Sequence, residues 1–256
     1  MKSGRVVKGI NFLNLRDAAD LQSSIPNSSG VQDAGDPVEL ARAYYEQGAD
    51  ELVFLDVSAS LEGRKTMVDV ARKVAQEIFI PFTIGGGIRS VKDIDALLKA
   101  GADKVSLGTI AVENPTMVSN AAEEFGSQAI VISLDAARAE KNWIVKTKSA
   151  TSSSGIDAIK YAKKVVSLGA GEILLNSIDH DGTKKGFDIA LTNAVVKSVS
   201  VPVIASGGAG KKEDFLEVFR KTGASAALAA SIFHFGEVKI PELKRYLKEN
   251  GMEVRV

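Results

Sequence analysis

The segment GADKVSLGT at residues 101–109 recurs as GASAALAAS at residues 223–231, 122 positions later and without a gap. The glycine turn GGG at 85–87 and the turn GGA at 207–209 repeat at the same offset. A repeat of about 120 residues is too long for the units of 20–50 residues from which solenoids are built. The duplication therefore predicts two related half-domains that fold together around one axis.

Short apolar runs, each of the length of a buried strand, occur along the whole chain and alternate with helical periods. The runs are 53–55, 82–84, 104–107, 130–134, 172–175, 203–205 and 226–229. The helical patterns are 66–78, 91–99, 115–125, 189–198, 211–220 and 240–249. Alternating strands and helices predict a parallel sheet. Together with the duplication they favour an α/β fold, a (β/α)8 TIM barrel built of two half-barrels, over a doubly wound open sheet.

Composition limits the function classes. The 256 residues match the roughly 250 of one barrel, although a chain of this size could also form two domains. Together with the repeat pattern, we predict a single domain over residues 1–256. The 32 basic and 32 acidic residues balance, which argues against nucleic acid as a partner. The chain has no cysteine, which excludes disulfides, thiolate metal sites and Cys nucleophiles. With neither a signal peptide nor an apolar membrane span in the sequence, we expect a cytoplasmic protein that meets no membrane.

One segment breaks the pattern. Residues 18–33 are rich in Ser, Asn and Gly and show no periodicity, which predicts a flexible loop or insertion. Asp36 followed by Pro37 then predicts a helix start, with Asp36 as the N-cap. The two histidines, His180 and His234, lack metal-ligand spacing, so no metal site is expected.

Two glycine-rich turns follow predicted strands of the two halves, and a turn of small residues follows the next strand in each. Such turns let backbone N–H groups approach an anion, and the positive end of the following helix would add to the attraction. The residues concerned are Gly86, Gly87, Thr109, Ser206, Gly207, Gly208, Ala230 and Ser231. The alternative is that these glycines only make tight turns. Two matching pairs favour a ligand with two phosphates, held on opposite sides of the barrel mouth.

Carboxylates end several predicted strands, where barrel enzymes carry their chemistry. The residues concerned are Asp56, Asp135, Asp179 and Asp181. Burial at a strand end can tune a carboxyl group for proton transfer, although a loop cap or a turn, for example at Asp181-Gly182-Thr183, explains each one singly. Asp135 is the strongest catalytic candidate because it directly continues the most apolar run.

Charged residues begin three predicted strands at the opposite end of the barrel, namely Glu51, Lys104 and Glu172. They form either a stabilising ring of ion pairs or a gate on a face that binds a partner.

At this point several motifs resemble a known family, the cyclase subunit of imidazole glycerol phosphate synthase. The motifs are GRVVKG at 4–9, DELVFLD at 50–56, GGGIR at 85–89, ADKVS at 102–106, DHDGT at 179–183 and ASGGAG at 205–210. The resemblance covers roughly residues 4–17 and 34–256. The triglycine and aspartate motifs also occur in the sister phosphoribosyl isomerase of histidine biosynthesis, whereas the SGGAG turn and the segment 233–251 point to the cyclase.

The resemblance implies a reaction. Ammonia from a glutaminase partner attacks a bis-phosphorylated ribulosyl aminoimidazole carboxamide intermediate, giving imidazole glycerol phosphate and an aminoimidazole carboxamide ribotide. Neither cofactor nor metal is implied. The roles carried over are Asp135 as general acid/base; Asp181, Ser149 and Asn176 lining the site; Lys8, Gly87 and Thr109 at one phosphate; Gly208 and Ser231, with Ser206 and Gly207 nearby, at the other; Glu51, Lys104 and Glu172 as the gate of an ammonia channel; and Asp103 on the partner side.

The sequence also departs from the family. The family's first strand ends in a second catalytic aspartate just upstream of the motif at 4–9, so we expect this strand to be missing or replaced. Losing one of two proton-transfer groups would reduce turnover about 10²- to 10⁴-fold. A family asparagine beside the first phosphate is Gly108 here. The alternatives are the sister isomerase, which performs an Amadori rearrangement, and a non-catalytic phosphate-binding barrel that activates a glutaminase.

Overall fold

The computed structural model describes residues 6–8, 32–56 and 67–256. The strands are β1 Val6–Lys8, β2 Gln32–Gly35, β3 Leu52–Leu55, β4 Phe82–Gly85, β5 Lys104–Leu107, β6 Ile130–Ala139, β7 Asn142–Thr147, β8 Ser152–Asp157, β9 Glu172–Ser177, β10 Val203–Ser206 and β11 Ala226–Leu228. The helices are α1 Pro37–Glu46, α2 Val68–Val74, α3 Val91–Lys99, α4 Thr109–Glu113, α5 Thr116–Phe125, α6 Ala158–Ser167, α7 Ile189–Val196, α8 Lys212–Thr222, α9 Ser231–His234 and α10 Ile240–Glu249, with a 3-10 turn at Ser127–Ala129.

The central sheet is parallel, in the order β3-β4-β5-β6-β9-β10-β11. Past the end of β5, β7 pairs antiparallel with the second half of β6, and β8 pairs antiparallel with β7. Strands β1 and β2 form a separate antiparallel pair. A hairpin is therefore inserted after β6, in the middle of the barrel sequence.

The two outer strands of this sheet contribute to one interior cluster. Val131, Leu174 and Ile204 are buried inside the sheet, and side chains of both β3 and β11 pack against them. In a flat sheet β3 and β11 would lie about 29 Å apart, at roughly 4.8 Å per strand. The sheet therefore curls into a barrel, which confirms the predicted fold class and rejects the open sheet.

The outer layer also joins the two ends of the chain. Lys244 Nζ of α10 donates to Asp50 Oδ1, just before β3, at 2.7 Å. The hydroxyl of Tyr44 in α1 is hydrogen-bonded to Nδ1 of His234 in α9. These contacts join positions almost 200 residues apart, so the last two described helices lie against the segment that runs from α1 to β3.

Successive side chains of β6 point alternately into the outer core, under the helices, and into the interior of the barrel. Ile132, Leu134 and Ala136 are fully buried under the helices, in the large outer core. Val131 faces the interior cluster instead, because successive side chains of a strand point to opposite faces. By the same alternation Asp135, four residues further on, faces the barrel interior near the mouth.

The seven predicted strands are all present, and most bounds agree within about two residues. Strand β6 is the exception, since it continues five residues beyond the predicted end. Asp36 caps α1 as predicted, accepting from the backbone N of Val38 and Glu39. The hairpin β7–β8 and helix α6 were not predicted.

Two predictions concern the N-terminal region. The predicted loop 18–33 is wrong at its end, because Gln32 and Asp33 belong to β2, where backbone pairing with β1 holds them. Residues 18–31 lie outside the described residues. The expected loss of the first barrel strand and its aspartate also falls outside what the structure describes.

Candidate active site at the barrel mouth

Asp135 lies at the centre of the barrel mouth, where β6 and β9 run side by side. Its register partner in β9 is Asn176, whose Nδ2 donates to Asp135 Oδ1 at 3.2 Å. Burial raises the pKa of Asp135 to about 6; the Asn176 hydrogen bond opposes this, and the charge of Asp181 adds to it. A carboxyl group that titrates so close to neutrality can both accept and donate a proton.

Asp181 is the second carboxyl group of the mouth. It lies in the turn after β9, where its backbone N donates to the carbonyl of Ser177 at 2.9 Å. Burial raises the pKa of Asp181 to about 6 as well. The negative charge of Asp181 also contributes to the raised pKa of Asp135, so the ionisation of one carboxyl group affects the other.

This coupling makes the Asp181→Asn variant informative. Removing the negative charge of Asp181 should move the pKa of Asp135 downward, which carboxyl-carbon NMR titration would measure. Burial raises both folded-state pKa values above that of an unfolded carboxyl, so wild-type stability should fall as pH rises from about 4 through about 6. In the Asp181→Asn variant, the free energy of unfolding should fall less over the same pH range. An unchanged Asp135 titration would show that the two groups do not interact.

The glycine turns occupy equivalent positions in the two halves, but not at the predicted offset. Gly86 and Gly87 follow β4, and Gly207 and Gly208 follow β10, all with positive φ between 73° and 106°. The equivalence is therefore 121 residues, not the 122 of the gapless alignment, which placed Gly85 opposite Gly207. The offset is 121 residues at the starts of α3 and α8, and 122 residues from Gly101 and Gly223 onward. The second half therefore has one extra residue, which lies between the start of α8 and Gly223.

The helices that follow the glycine turns cannot serve as anion sites at their N-termini. Asp93 Oδ2 accepts from the backbone N of Arg89 and Ser90 at the start of α3. At the start of α8, Asp214 Oδ2 accepts from the backbone N of Gly210 and Lys211. These carboxylates occupy the N–H groups and repel a second anion. The expectation that both helix ends would add attraction is thus wrong.

The turn before α4 and the turn before α9 differ from the glycine turns, because the helices that follow them have no capping side chain. Gly108 precedes α4 with φ −106° and ψ −104°, and Ala230 precedes α9 with φ −122° and ψ −72°. No side chain caps either helix. The first backbone N–H groups there, beside the hydroxyls of Thr109 and Ser231, are not taken by a capping side chain. We call the Gly86–Thr109 group the first cradle and the Gly207–Ser231 group the second cradle.

Gly207 connects the second cradle to Asp135. A Cβ at this position would lie 2.7 Å from the carbonyl O of Ser177 and 2.9 Å from Asn176 Oδ1. Asn176 Oδ1 is buried and has no hydrogen-bond partner among the described residues. The glycine turn therefore lies directly against the residue that holds the Asp135 carboxylate.

The β7–β8 hairpin covers the first cradle. The backbone N of Lys148, at the hairpin tip, donates to Thr109 Oγ1 at 2.9 Å. Lys148, Ser149 and Ala150 all take left-handed backbone conformations, with φ of 53°, 54° and 63°. Such conformations are strained for residues other than glycine and persist only where the surroundings hold them. Ser149, which the resemblance implies as a residue lining the site, belongs to this tip, next to the residue that contacts Thr109.

The remaining predicted residues are placed as follows. Asp56 is 3% exposed, and its backbone N donates to the carbonyl of Gly85 at 2.9 Å. Asp179 Oδ2 accepts from the backbone N of Arg138 at 2.6 Å, so it ties the turn after β9 to β6. Gly182 makes part of that turn with φ 74°. Ser206 ends β10 in register with Asn176, and Lys8 lies in β1 of the separate two-stranded sheet.

The three charged residues at the other end of the barrel form one ion-pair cluster. Lys104 Nζ lies 2.9 Å from both Glu51 Oε2 and Glu172 Oε2. Burial lowers the pKa of Lys104, but the hydrogen bonds and charges of the two glutamates outweigh it and raise the pKa above its ordinary value. Asp103 Oδ2, nearby, accepts from the backbone N of Phe82 at 2.9 Å. A charged ion-pair cluster therefore lies where these strands begin, at the end of the barrel opposite Asp135.

Within the described ranges, no group of three or more His, Cys, Asp or Glu residues could hold a metal ion. Among the described helices, none is both long enough and apolar enough to span a membrane.

Comparison with known proteins gives one consistent family. The family model described as "Histidine biosynthesis protein" matches residues 1–239. The imidazole glycerol phosphate synthase subunit HisF of Hydrogenobaculum sp. is 56% identical over 257 residues, covering 100% of this chain and 96% of that protein. The subunits of the same name are 55% identical in Sulfurisphaera tokodaii and 52% identical in Streptococcus mutans, each covering 100% of this chain and 96% of the relative.

Proposed function

The chain belongs to the histidine biosynthesis protein family, and from that premise we propose that it performs the cyclase reaction of imidazole glycerol phosphate synthase. The substrate would be ammonia plus the bis-phosphorylated ribulosyl aminoimidazole carboxamide intermediate. The products would be imidazole glycerol phosphate and the aminoimidazole carboxamide ribotide. The observation that supports the proposal is the surroundings of the partly buried Asp135, which has Asn176 and the adjoining Gly207 turn on one side and strand β7 of the hairpin on the other.

In this proposal the two cradles hold the two ends of the substrate. Backbone N–H groups of the glycine turns and the hydroxyls of Thr109 and Ser231 would bind the phosphates, because short, charge-assisted hydrogen bonds suit a phosphate oxygen. Binding at both ends fixes the middle of the substrate over Asp135. Positioning of this kind lowers the entropic part of the barrier before any bond changes.

Asp135 would then move protons as carbon–nitrogen bonds form and break. Its pKa of about 6 leaves a population of each protonation state near neutral pH. The Asn176 amide fixes one carboxylate oxygen, so the other remains available to the substrate. Asp181, with a similar pKa, would take part in the same proton transfers.

Ammonia would arrive from a glutaminase partner bound at the opposite end of the barrel, next to Lys104 and its two glutamates. The ion-pair cluster would act as a gate there. No cofactor or metal is needed for the proposed reaction, since each step is an addition, an elimination or a proton transfer.

The experiment that tests the proposal is a direct assay of the purified chain with ammonium salt and the intermediate. Imidazole glycerol phosphate should form without a partner. The sister isomerase reaction, assayed with its own aminoaldose substrate, should be absent. Phosphate binding without either turnover, together with stimulation of a glutaminase, would instead identify a non-catalytic activator.

The gate gives a further prediction. Lys104→Met should leave the rate with saturating ammonium salt within about threefold of wild type, because the barrel mouth is untouched. It should change the glutamine-dependent rate of the complex at least tenfold, because Glu51 and the partly buried Glu172 lose their shared cation. Lys99→Met, which removes an exposed ion pair with Asp95 on α3, is the matched control. Equal effects on both nitrogen sources would contradict a gate.

A further inference from the structure

Strand β7 has one face in the outer core and one face at the barrel mouth. Val145 is 1% exposed and belongs to the outer core, and Trp143 packs against the same core. Because side chains alternate along a strand, Ile144 and Lys146 face the opposite side. That side is the mouth, where Asp135 also points.

Lys146 stands directly beside Asp135. The two residues are opposite each other in the antiparallel β6–β7 ladder, just as Asn176 is opposite Asp135 on the other side. Opposite residues of a ladder share a face, with Cβ atoms about 5 Å apart. Asn176, Asp135 and Lys146 therefore form one row across the mouth.

The hairpin tip sets the position of Lys146 relative to the first cradle. Two residues beyond Lys146, the backbone N of Lys148 is held by Thr109 Oγ1 at 2.9 Å. The side chain of Lys148 itself turns towards Glu113, with Nζ 3.7 Å from Oε1. Lys146 thus lies two residues, roughly 7 Å of extended chain, from the backbone N that contacts Thr109, a distance close to the length of a lysine side chain.

Lys146 also lacks a partner among the described residues. It is partly buried, yet its ammonium makes neither an ion pair nor a hydrogen bond with any of them. Among the described lysines, the only others that are not exposed are Lys104 and Lys244, and both are paired, at 2.9 Å and 2.7 Å. Its ammonium is therefore available to form a charge-assisted hydrogen bond with an anionic ligand.

We propose that Lys146 is a substrate-binding residue that neutralises the phosphate held in the first cradle. The proposal rests on the proposed function, in which the substrate carries two phosphates at opposite sides of the mouth. Thr109 supplies a hydrogen-bonding hydroxyl there, and Lys146 supplies a full positive charge in addition to Lys8, which the resemblance assigns to the same phosphate. Asp135 remains the proton-transfer group.

The test compares Lys146→Gln and Lys146→Arg with the control Lys141→Gln at the exposed β6–β7 turn. Lys146→Gln should raise KM for the bis-phosphorylated intermediate about 10- to 100-fold, the range expected for one charge-assisted hydrogen bond, and leave kcat within about threefold. It should also flatten the dependence of KM on salt, since an exchangeable ion pair is removed. Lys146→Arg should restore most of the affinity. A KM within twofold of wild type would overturn the proposal.

The two reaction products separate a local charge effect from a loosened hairpin, because each carries one phosphate. Titration calorimetry should show that Lys146→Gln weakens binding of one product about tenfold or more and leaves the other unchanged. Equal weakening of both, or of neither, would overturn the assignment. These binding measurements need no turnover, so they still decide the role of Lys146 if the cyclase assay fails.

Discussion

Replacing Asp135 with asparagine should reduce ammonia-dependent cyclisation by about 10²- to 10⁴-fold, the usual contribution of one general acid/base. Asparagine has the same shape, and its side-chain oxygen can still accept from Asn176 Nδ2, so the row of side chains across the mouth should be kept. Only the proton-transfer function is removed. The loss should therefore appear in kcat, with binding of the bis-phosphorylated intermediate nearly unchanged.

The fold of the Asp135→Asn variant can be checked independently. Burial disfavours the charged carboxylate, which is why its pKa is raised to about 6, so the neutral side chain should unfold no more easily than wild type at pH 7. Asp95→Asn on the exposed face of α3 is the matched control and should leave kcat unaltered. An Asp135→Asn enzyme with more than a tenth of wild-type kcat would remove Asp135 from the mechanism.

Gly208→Ala should be the most damaging small substitution in the second cradle. Gly208 has φ 106°, and an added Cβ would lie 2.1 Å from the carbonyl O of Gly186 and 3.0 Å from Cβ of His180. The Gly208 carbonyl also accepts from the backbone N of Gly186 at 2.8 Å. Because the neighbours are mainly backbone, they cannot move aside cheaply, and we expect a loss of roughly 2–4 kcal/mol in the free energy of unfolding.

The matched control for this substitution is Gly236→Ala. Gly236 also has a left-handed φ, 67°, but nothing lies within 4 Å of the added Cβ. Denaturant unfolding should give a cost of about 1 kcal/mol there, from backbone strain alone. The Gly208 variant should in addition bind the intermediate more weakly, with a raised KM. Equal destabilisation by the two substitutions would mean that the turn at Gly208 tolerates a side chain.

The parallel strands were predictable because both of their faces are covered. In β6, Val131 packs inside the barrel while Ile132 and Leu134 pack under the helices, so the sequence reads as an unbroken apolar run. Such runs give the strand positions within about two residues. The end of β6 could not be predicted in this way. The strand continues from Asp135 to Ala139, and this part lacks the large apolar residues of the run before it.

The hairpin was missed for a related reason. Strand β8, with the sequence SSSGID, is largely polar and exposed, and β7 is apolar only at positions 143–145. Neither has the continuous apolar character of a buried strand. The signal that could have found β7 is its alternation, in which Trp143 and Val145 face one side and Lys146 the other. Because β7 was not predicted as a strand, Lys146 was not predicted to face the barrel mouth.

The shape of the cradles could be predicted only in part. The glycine residues in the sequence indicated both turns, because Gly86 and Gly207 adopt positive φ values that favour glycine. The sequence did not reveal that Asp93 and Asp214 fold back onto the helix starts, because a first-turn aspartate also occurs where it meets only solvent. Nor could a gapless alignment detect the single extra residue in the second half, which shifts the glycines by one position.

The most direct measurement is a crystal structure of the Asp135→Asn variant with the bis-phosphorylated intermediate bound. We predict one phosphate at Thr109 and the other at Ser231, with the reacting carbon and nitrogen atoms between them. Position 135 should lie within about 3 Å of an atom that gains or loses a proton. Both phosphates on the same side of the barrel, or a position 135 out of hydrogen-bond reach of the substrate, would contradict the proposed function.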